Sequence, residues 1–278
     1  MLTKVEVGQF KAFGYVILRG CLRPDEVRAL QEAFDRGIES APYFDAFGTG
    51  GSKRLTPFVE ADDSFAAVIE HPGIMEGMRD IDGAEFLYHN ASDLTANVDD
   101  VFWHCDGVPT RQISTAKTAI YLDDLSDGDG ALSIIPGSHH PEFSAALLRS
   151  YGPLRKEYRR SAHEERPRAN IPGVVSVQTR PGDVLLWDNR LWHSARRRSN
   201  GTPRRNMFIE YVRDPKDDPV SIFAVREYIA AGLASQAARS GPKHRPFIYS
   251  KELMRKGGPA REKMAARLEE LGVDNVRE

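Results

Sequence analysis

Residues 102–107 carry two side chains that could bind one metal ion. His104 and Asp106 are separated by a single residue, Cys105. On a strand or at its end, residues i and i+2 face the same way, so one imidazole nitrogen and one carboxylate oxygen can reach a common point. A second histidine on a neighbouring strand would complete a two-histidine, one-carboxylate set, which suits ferrous iron and leaves its other positions open. A His-x-Asp tripeptide alone is common by chance, so the rest of the chain decides its meaning.

A second histidine follows at a suitable place. Asp183 opens a short apolar run that ends at Asp188, and a turn then leads to His193. His193 lies 89 residues after His104 (193 − 104), which leaves room for several strands of one barrel. We therefore predict that His104, Asp106 and His193 bind iron and form the catalytic centre.

A basic segment follows this histidine, and it contains the arginines Arg196, Arg197, Arg198, Arg204 and Arg205. We interpret the first three as a solvated hairpin rim. Arg204 stands 11 residues after His193 (204 − 193), at the start of the next apolar strand. Its planar guanidinium could hold the distal carboxylate of 2-oxoglutarate with two hydrogen bonds. Arg205 is the competing residue for this role.

The elements that must position these residues are mostly short strands. From about residue 84, β-branched or aromatic runs alternate with turn residues, and these runs are 85–91, 115–122, 132–135, 174–178, 184–187 and 207–212. Many short strands of this kind predict an antiparallel sandwich or barrel. Helical patterns predict helices over residues 24–38, 64–78, 145–160, 219–240 and 259–271.

The organisation of the chain predicts one domain. With 278 residues and 41% hydrophobic content, it can bury a substantial core, and no Gly/Ser-rich or Pro-rich linker divides it. We assign 1–83 as N-terminal support made of helices and strand, 84–212 as the β core with an insertion at 141–172, and 213–278 as a C-terminal helical extension.

Composition narrows the class of partner. Lys and Arg total 38 and Asp and Glu total 40, a balance that disfavours nucleic acid or an anionic membrane. Two cysteines are too few for a disulfide framework. The first 20 residues carry charges throughout, and no run approaches the ~20 apolar residues of a membrane span. We expect a cytoplasmic enzyme with a small-molecule substrate.

Several stretches resemble the phytanoyl-CoA dioxygenase family of iron- and 2-oxoglutarate-dependent oxygenases. They are 14–20 (GYVILRG), 103–106 (WHCD), 121–124 (YLDD), 130–139 (GALSIIPGSH) and 182–204. The resemblance implies a mainly β fold with flanking helices, a double-stranded β-helix of the jelly-roll, cupin-like kind. It implies Fe(II) on the three residues named above, 2-oxoglutarate on Arg204, and O2 as co-substrate. Spacing within the family puts two further oxo-acid contacts near Lys53 and His89.

Some features depart from the family or leave alternatives open. Ala195 stands where the family usually has a small hydroxyl residue. Related halogenases have a small residue at the carboxylate position, so Asp106 argues against halogenation. Hydroxylation with release of succinate and CO2 is the expected reaction, but desaturation, ring closure and epimerisation begin in the same way. Two other classes remain: a cupin-like metallohydrolase or isomerase without 2-oxoglutarate, and a non-catalytic β-sandwich binding module.

Overall fold

The computed structural model describes residues 1–41, 51–106, 113–158, 173–240 and 247–278. Its helices are α1 Lys4–Phe13, α2 Pro24–Glu39, α3 Asp63–Val68, α4 Pro72–Asp82, α5 Pro141–Tyr158, α6 Pro219–Ser240, α7 Lys251–Arg255 and α8 Pro259–Glu270. Its strands are β1 Tyr15–Leu18, β2 Lys53–Leu55, β3 Phe86–Asn97, β4 Val101–His104, β5 Thr115–Tyr121, β6 Leu132–Ile134, β7 Val175–Val177, β8 Val184–Asp188, β9 His193–Ala195 and β10 Arg204–Arg213.

The helix α2 follows directly from its sequence. Pro24 stands in the first turn, where its missing N–H costs nothing, and two acids follow it, favoured by the helix dipole. Val27, Leu30, Ala33 and Phe34 are buried along one stripe. The helix predicted over 64–78 is instead two helices, α3 and α4, because Pro72 cannot continue α3 and begins a new helix.

The helix α1 was not predicted from the sequence. A capping box at Thr3 and Glu6 begins it, and Gly14 ends it with a φ of 84°. A side chain at Gly14 would also collide with His139, since a Cβ there would lie 2.5 Å from its Nδ1. The glycine therefore allows both the helix end and the close approach of the 136–140 turn.

The described strands form two antiparallel sheets that face each other. The larger has the order β1-β8-β5-β10-β3-β2 and the smaller has the order β4-β9-β6-β7. Side chains of both sheets meet in one buried cluster, to which the larger contributes Ala119, Leu185 and Trp187 and the smaller contributes Leu132 and Ile134. This is the double-stranded β-helix expected from the sequence.

The two faces of the larger sheet have different neighbours. Its outer face, with Met207, Ile209 and Tyr211, packs into the main core together with buried residues of the helices such as Phe34 and Met78. Its inner face looks toward the smaller sheet. Because side chains alternate along a strand, Arg204, Phe208 and Glu210 of β10 belong to the inner face.

The strand order shows where each part of the chain lies in the sheets. Residues 1–83 supply β1, which pairs with β8, and β2, which pairs with β3, both in the larger sheet. Residues 92–97 extend β3 beyond the run predicted at 85–91. Of the insertion at 141–172, residues 141–158 form α5, and 159–172 lie outside the described residues. Within the described parts of the chain, no helix is long and apolar enough to cross a membrane.

Candidate metal centre

Three side chains converge at one end of the gap between the sheets. Each of His104, Asp106 and His193 offers one ligand atom, and these atoms lie within 4.8 Å of one another. His104 Nε2 is 3.5 Å from Asp106 Oδ1, and His193 Nε2 is 3.7 Å from Asp106 Oδ2. Two imidazole nitrogens and one carboxylate oxygen match the donor set that ferrous iron takes in enzymes of this kind. The residues therefore fit the metal.

Strand pairing brings the two histidines together. His104, the last residue of β4, pairs directly with His193, the first residue of β9, and their ring centroids are 4.2 Å apart. Asp106 follows two residues later and is anchored by its backbone N–H, which donates to the carbonyl of Asn189 at 3.1 Å. The tryptophans beside the histidines, Trp103 and Trp192, pack on the opposite face with α5, as alternation requires.

The surroundings of His193 prepare it as a ligand. Its Nδ1 lies 2.9 Å from the carbonyl oxygen of Leu191. The carbonyl can only accept, so Nδ1 carries the proton and Nε2 presents a lone pair toward Asp106. Burial, and then the neighbouring His104, lowers the pKa of His193 to about 3. The ring is therefore neutral at neutral pH.

Lys117 is a neighbour of the centre that the sequence did not identify. Its Nζ donates to Asp106 Oδ2 at 2.6 Å and lies over the rings of Phe208 and Trp187. Burial alone would raise the pKa of Asp106, but Lys117 and the two histidines outweigh it and hold that pKa well below its usual range. A single lysine within an otherwise buried strand was the available signal, although its face could not be read from the sequence.

Arg204 and Arg205 point to opposite faces of the larger sheet. Arg204 is buried on the inner face, where it donates to the backbone carbonyls of Asp99 and Arg196. Its Nε is buried and has no partner among the described residues. Arg205 turns outward, and its Nη2 donates to Asp123 at 2.8 Å. Of the two candidates, only Arg204 faces the interior of the barrel.

The structure does not bring Lys53 to the centre, which corrects its position as inferred from spacing. It pairs with Ala96 on the outer face, and its Nζ donates to the carbonyls of Ile38 and Glu39 at the end of α2. The next residue, Arg54, faces inward and donates through Nε to Asp93 at 2.8 Å. A shift of one residue along a strand exchanges the two faces.

His89 lies on the inner face, within a polar cluster beside the centre. Its Nε2 is 3.5 Å from Glu210 Oε1, and the Tyr228 hydroxyl donates to the same oxygen. Glu210 pairs in register with Lys117. Burial would raise the pKa of Glu210, but His89, Lys117 and Tyr228 outweigh it and lower that pKa. A lone glutamate in the apolar strand β10 was the signal for this cluster.

His139 and His140, two further histidines, lie elsewhere. Their Nε2 atoms are 3.2 and 3.3 Å from the carbonyls of Lys11 and Ala12 at the end of α1. They shape the turn that follows β6.

Comparisons with known proteins identify relatives of this chain. An ectoine dioxygenase from Sphingopyxis alaskensis is 23% identical over 273 residues, covering 84% of each chain. The solved structure of HygX from Streptomyces hygroscopicus, with nickel and 2-oxoglutarate bound, superimposes with a TM-score of 0.62 at 19% identity, covering 76% of this chain and 87% of that one. The structure of the α-ketoglutarate-dependent carbocyclase SnoK from nogalamycin biosynthesis gives a TM-score of 0.60 at 22% identity, covering 77% and 85%.

Fold, centre and relatives together define the class of this protein as an iron- and 2-oxoglutarate-dependent dioxygenase. The model of the phytanoyl-CoA dioxygenase family matches residues 10–206, and the chain belongs to that family.

Proposed function

We propose that this enzyme hydroxylates an unactivated C–H bond of a small molecule, with His104, Asp106 and His193 holding the iron and Arg204 holding the distal carboxylate of 2-oxoglutarate. The convergence of the three ligand atoms within 4.8 Å carries the proposal. The reaction consumes the substrate, 2-oxoglutarate and O2, and it yields the hydroxylated substrate, succinate and CO2. When bound, the metal and the oxo acid supply the oxidising power.

The protein's own residues prepare the centre before any ligand arrives. The carbonyl of Leu191 fixes the ring of His193, and Lys117 fixes one oxygen of Asp106. His104, Asp106 and His193 would hold the metal from one side and would leave room for the keto acid and dioxygen. Phe208 and Trp187 lie beside the Lys117 ammonium on the inner face.

The buried guanidinium of Arg204 supports the use of an oxo acid. Among the described residues, Arg204 has no carboxylate partner and its Nε has no hydrogen-bond partner. Such a cation on the inner face suits an anion that enters from the metal side. A metallohydrolase or isomerase that needs no oxo acid would have no use for it. Direct contact of His89 with the oxo acid stays a prediction, and its position beside Glu210 also suits the substrate. We leave Lys53 out of the site.

The inner wall supports a compact polar substrate. Glu210, Tyr228 and His89 form one hydrogen-bonding cluster beside Lys117, and Asp93 with Arg54 forms another. Relatives named as ectoine dioxygenases are consistent with a small polar molecule. Ring closure is the alternative outcome, because one structural neighbour is a carbocyclase. A cytoplasmic location and the lack of a nucleic-acid partner stay predictions from the sequence.

Succinate formation tests the proposal. The enzyme, supplied with Fe(II), ascorbate, 2-oxoglutarate and air, is screened against a library of small polar metabolites. We expect substrate-stimulated succinate release and a product 16 mass units heavier than its substrate. A product two mass units lighter would indicate desaturation or ring closure instead. Metal-dependent turnover of a substrate without any need for 2-oxoglutarate would favour the hydrolase or isomerase.

A further inference from the structure

The inner face around Arg204 offers few groups that could help it bind an anion. Asn206, next but one along β10, uses its Nδ2 on Thr95 at 3.4 Å. Across the gap, Ala195 pairs with Leu132 and lies in the apolar cluster between the sheets. Ser194 alternates to the other face of β9, away from the interior. One carboxylate has more acceptor capacity than Arg204 alone satisfies.

Tyr121 is the remaining polar side chain at this position. It pairs in register with Asn206, so its side chain lies on the inner face, diagonally opposite Arg204. It is 3% exposed, and its ring stacks edge-on against Phe208 at 6.2 Å. Among the described residues, its hydroxyl has no hydrogen-bond partner.

The electrostatics agree with this placement. Burial raises the pKa of Tyr121, and the nearby charge of Arg204 acts against that rise. Conversely, burial lowers the pKa of Arg204, and Tyr121 acts against that fall. The two side chains are therefore close neighbours, and the phenol keeps its proton at neutral pH. A neutral phenol beside a buried guanidinium is a hydrogen-bond donor without an acceptor.

We infer that the Tyr121 hydroxyl donates to the distal carboxylate of 2-oxoglutarate beside Arg204, so that β5 and β10 bind the oxo acid together. This inference rests on the proposed function. It adds a binding residue from a different strand, across the interior from Ala195, which can offer no hydrogen bond.

The test is the affinity of three variants for 2-oxoglutarate. Tyr121→Phe removes only the hydroxyl. Tyr211→Phe is the matched control, because its buried hydroxyl donates to the Ile69 carbonyl on the outer face of the same sheet. The double variant Tyr121→Phe with Ala195→Ser returns a hydroxyl from the opposite wall. Binding is measured anaerobically on the Fe(II)-loaded enzyme by the visible charge-transfer band and by calorimetry on the Ni(II)-loaded enzyme.

We expect Tyr121→Phe to raise the Kd for 2-oxoglutarate about 10-fold or more, the usual effect of losing a hydrogen bond to a charged group. Tyr211→Phe should keep the wild-type Kd, and the double variant should recover part of the loss. With 2-oxobutyrate, which lacks the distal carboxylate, Tyr121→Phe and wild type should bind equally. Equal Kd values for 2-oxoglutarate, or an equal loss with 2-oxobutyrate, would overturn the inference alone. A wild-type enzyme that binds no 2-oxoglutarate would overturn the proposed function and the inference with it.

Discussion

Lys117 Nζ lies 2.6 Å from Oδ2 of Asp106, so a cation already holds the only carboxylate of the proposed iron site. Lys117 is also close to Glu210 and Asp93, and these three acids outweigh burial and raise its pKa. The ammonium is therefore charged whenever a metal arrives. Two cations that share one carboxylate repel each other, so Lys117 and the metal must be energetically coupled.

The variant Lys117→Met tests this coupling. Without metal, we expect this variant to be less stable by about 1–3 kcal/mol, because Asp106 loses its counterion. The loss stays moderate because the Lys117–Asp106 pair is only partly buried. Saturating Ni(II) should then raise its Tm by more than it raises that of wild type, since the metal replaces the lost charge.

Lys117→Arg is the control, because it keeps the positive charge and should show a wild-type shift in Tm. An equal or smaller metal-induced shift in Lys117→Met would mean that Lys117 and the metal do not compete for Asp106.

His104→Ala should abolish iron retention, since it removes one of three protein ligands. The measurement is the iron content after loading and gel filtration, with circular dichroism to check folding. His140→Ala is the matched histidine control and should retain iron, because His140 lies beside α1. Stoichiometric iron in folded His104→Ala would remove His104 from the ligand set.

Arg204→Ala should leave iron bound but raise the Kd for 2-oxoglutarate about 100-fold or more, as expected for the loss of two charge-assisted hydrogen bonds. Arg205→Ala, which breaks the outward ion pair with Asp123, should keep the wild-type Kd. Anaerobic titration of both variants measures the difference. The reverse result, with Arg205→Ala impaired and Arg204→Ala normal, would mean that the oxo acid binds the other arginine.

His193 should make the metal-free protein less stable in mild acid. Its pKa falls from an ordinary 6.5 to about 3 in the folded state, so between these values the unfolded chain binds the extra proton. The neutral ring therefore contributes fully to the free energy of unfolding above pH 6.5. This contribution is lost as the pH falls, by up to about 1.4 kcal/mol per pH unit. The free energy of unfolding of the apoprotein, measured with denaturant at several pH values from 7 to 5, should fall less steeply with pH for His193→Gln than for wild type.

Some dependence of the free energy of unfolding on pH should remain in His193→Gln. Burial also lowers the pKa of His139, so His139 destabilises the folded protein in acid in the same way. Identical slopes for His193→Gln and wild type would indicate that His193 is not buried as a neutral ring.

The sequence predicted those parts of the site that depend on local spacing. His104 is the last residue of β4 and Asp106 lies only two residues beyond it, so the i, i+2 spacing still brings both side chains to one point. The fold class followed from many short apolar runs, and α2 followed from its stripe. The strands β2 and β9 were not predicted. Each has three residues, as β6 and β7 do, but their sequences KRL and HSA contain no β-branched or aromatic run that would mark a strand.

The face of each inward residue was harder to predict. Both faces of β5 are buried, so its sequence does not alternate between polar and apolar residues in a way that would show which face carries Lys117 or Tyr121. Only the pairing with β8 and β10 decides it. Lys53 failed for a related reason, because spacing without register is uncertain by one residue and one residue reverses the face.

The most direct test of the central claim is an anaerobic titration of Fe(II) and 2-oxoglutarate into the wild-type protein, followed at visible wavelengths. If His104, Asp106 and His193 hold iron with its other positions open, a weak charge-transfer band should grow to saturation at one iron and one oxo acid per chain. The same titration of His193→Ala should produce no band. A colourless wild-type mixture, or an undiminished band in His193→Ala, would contradict the account.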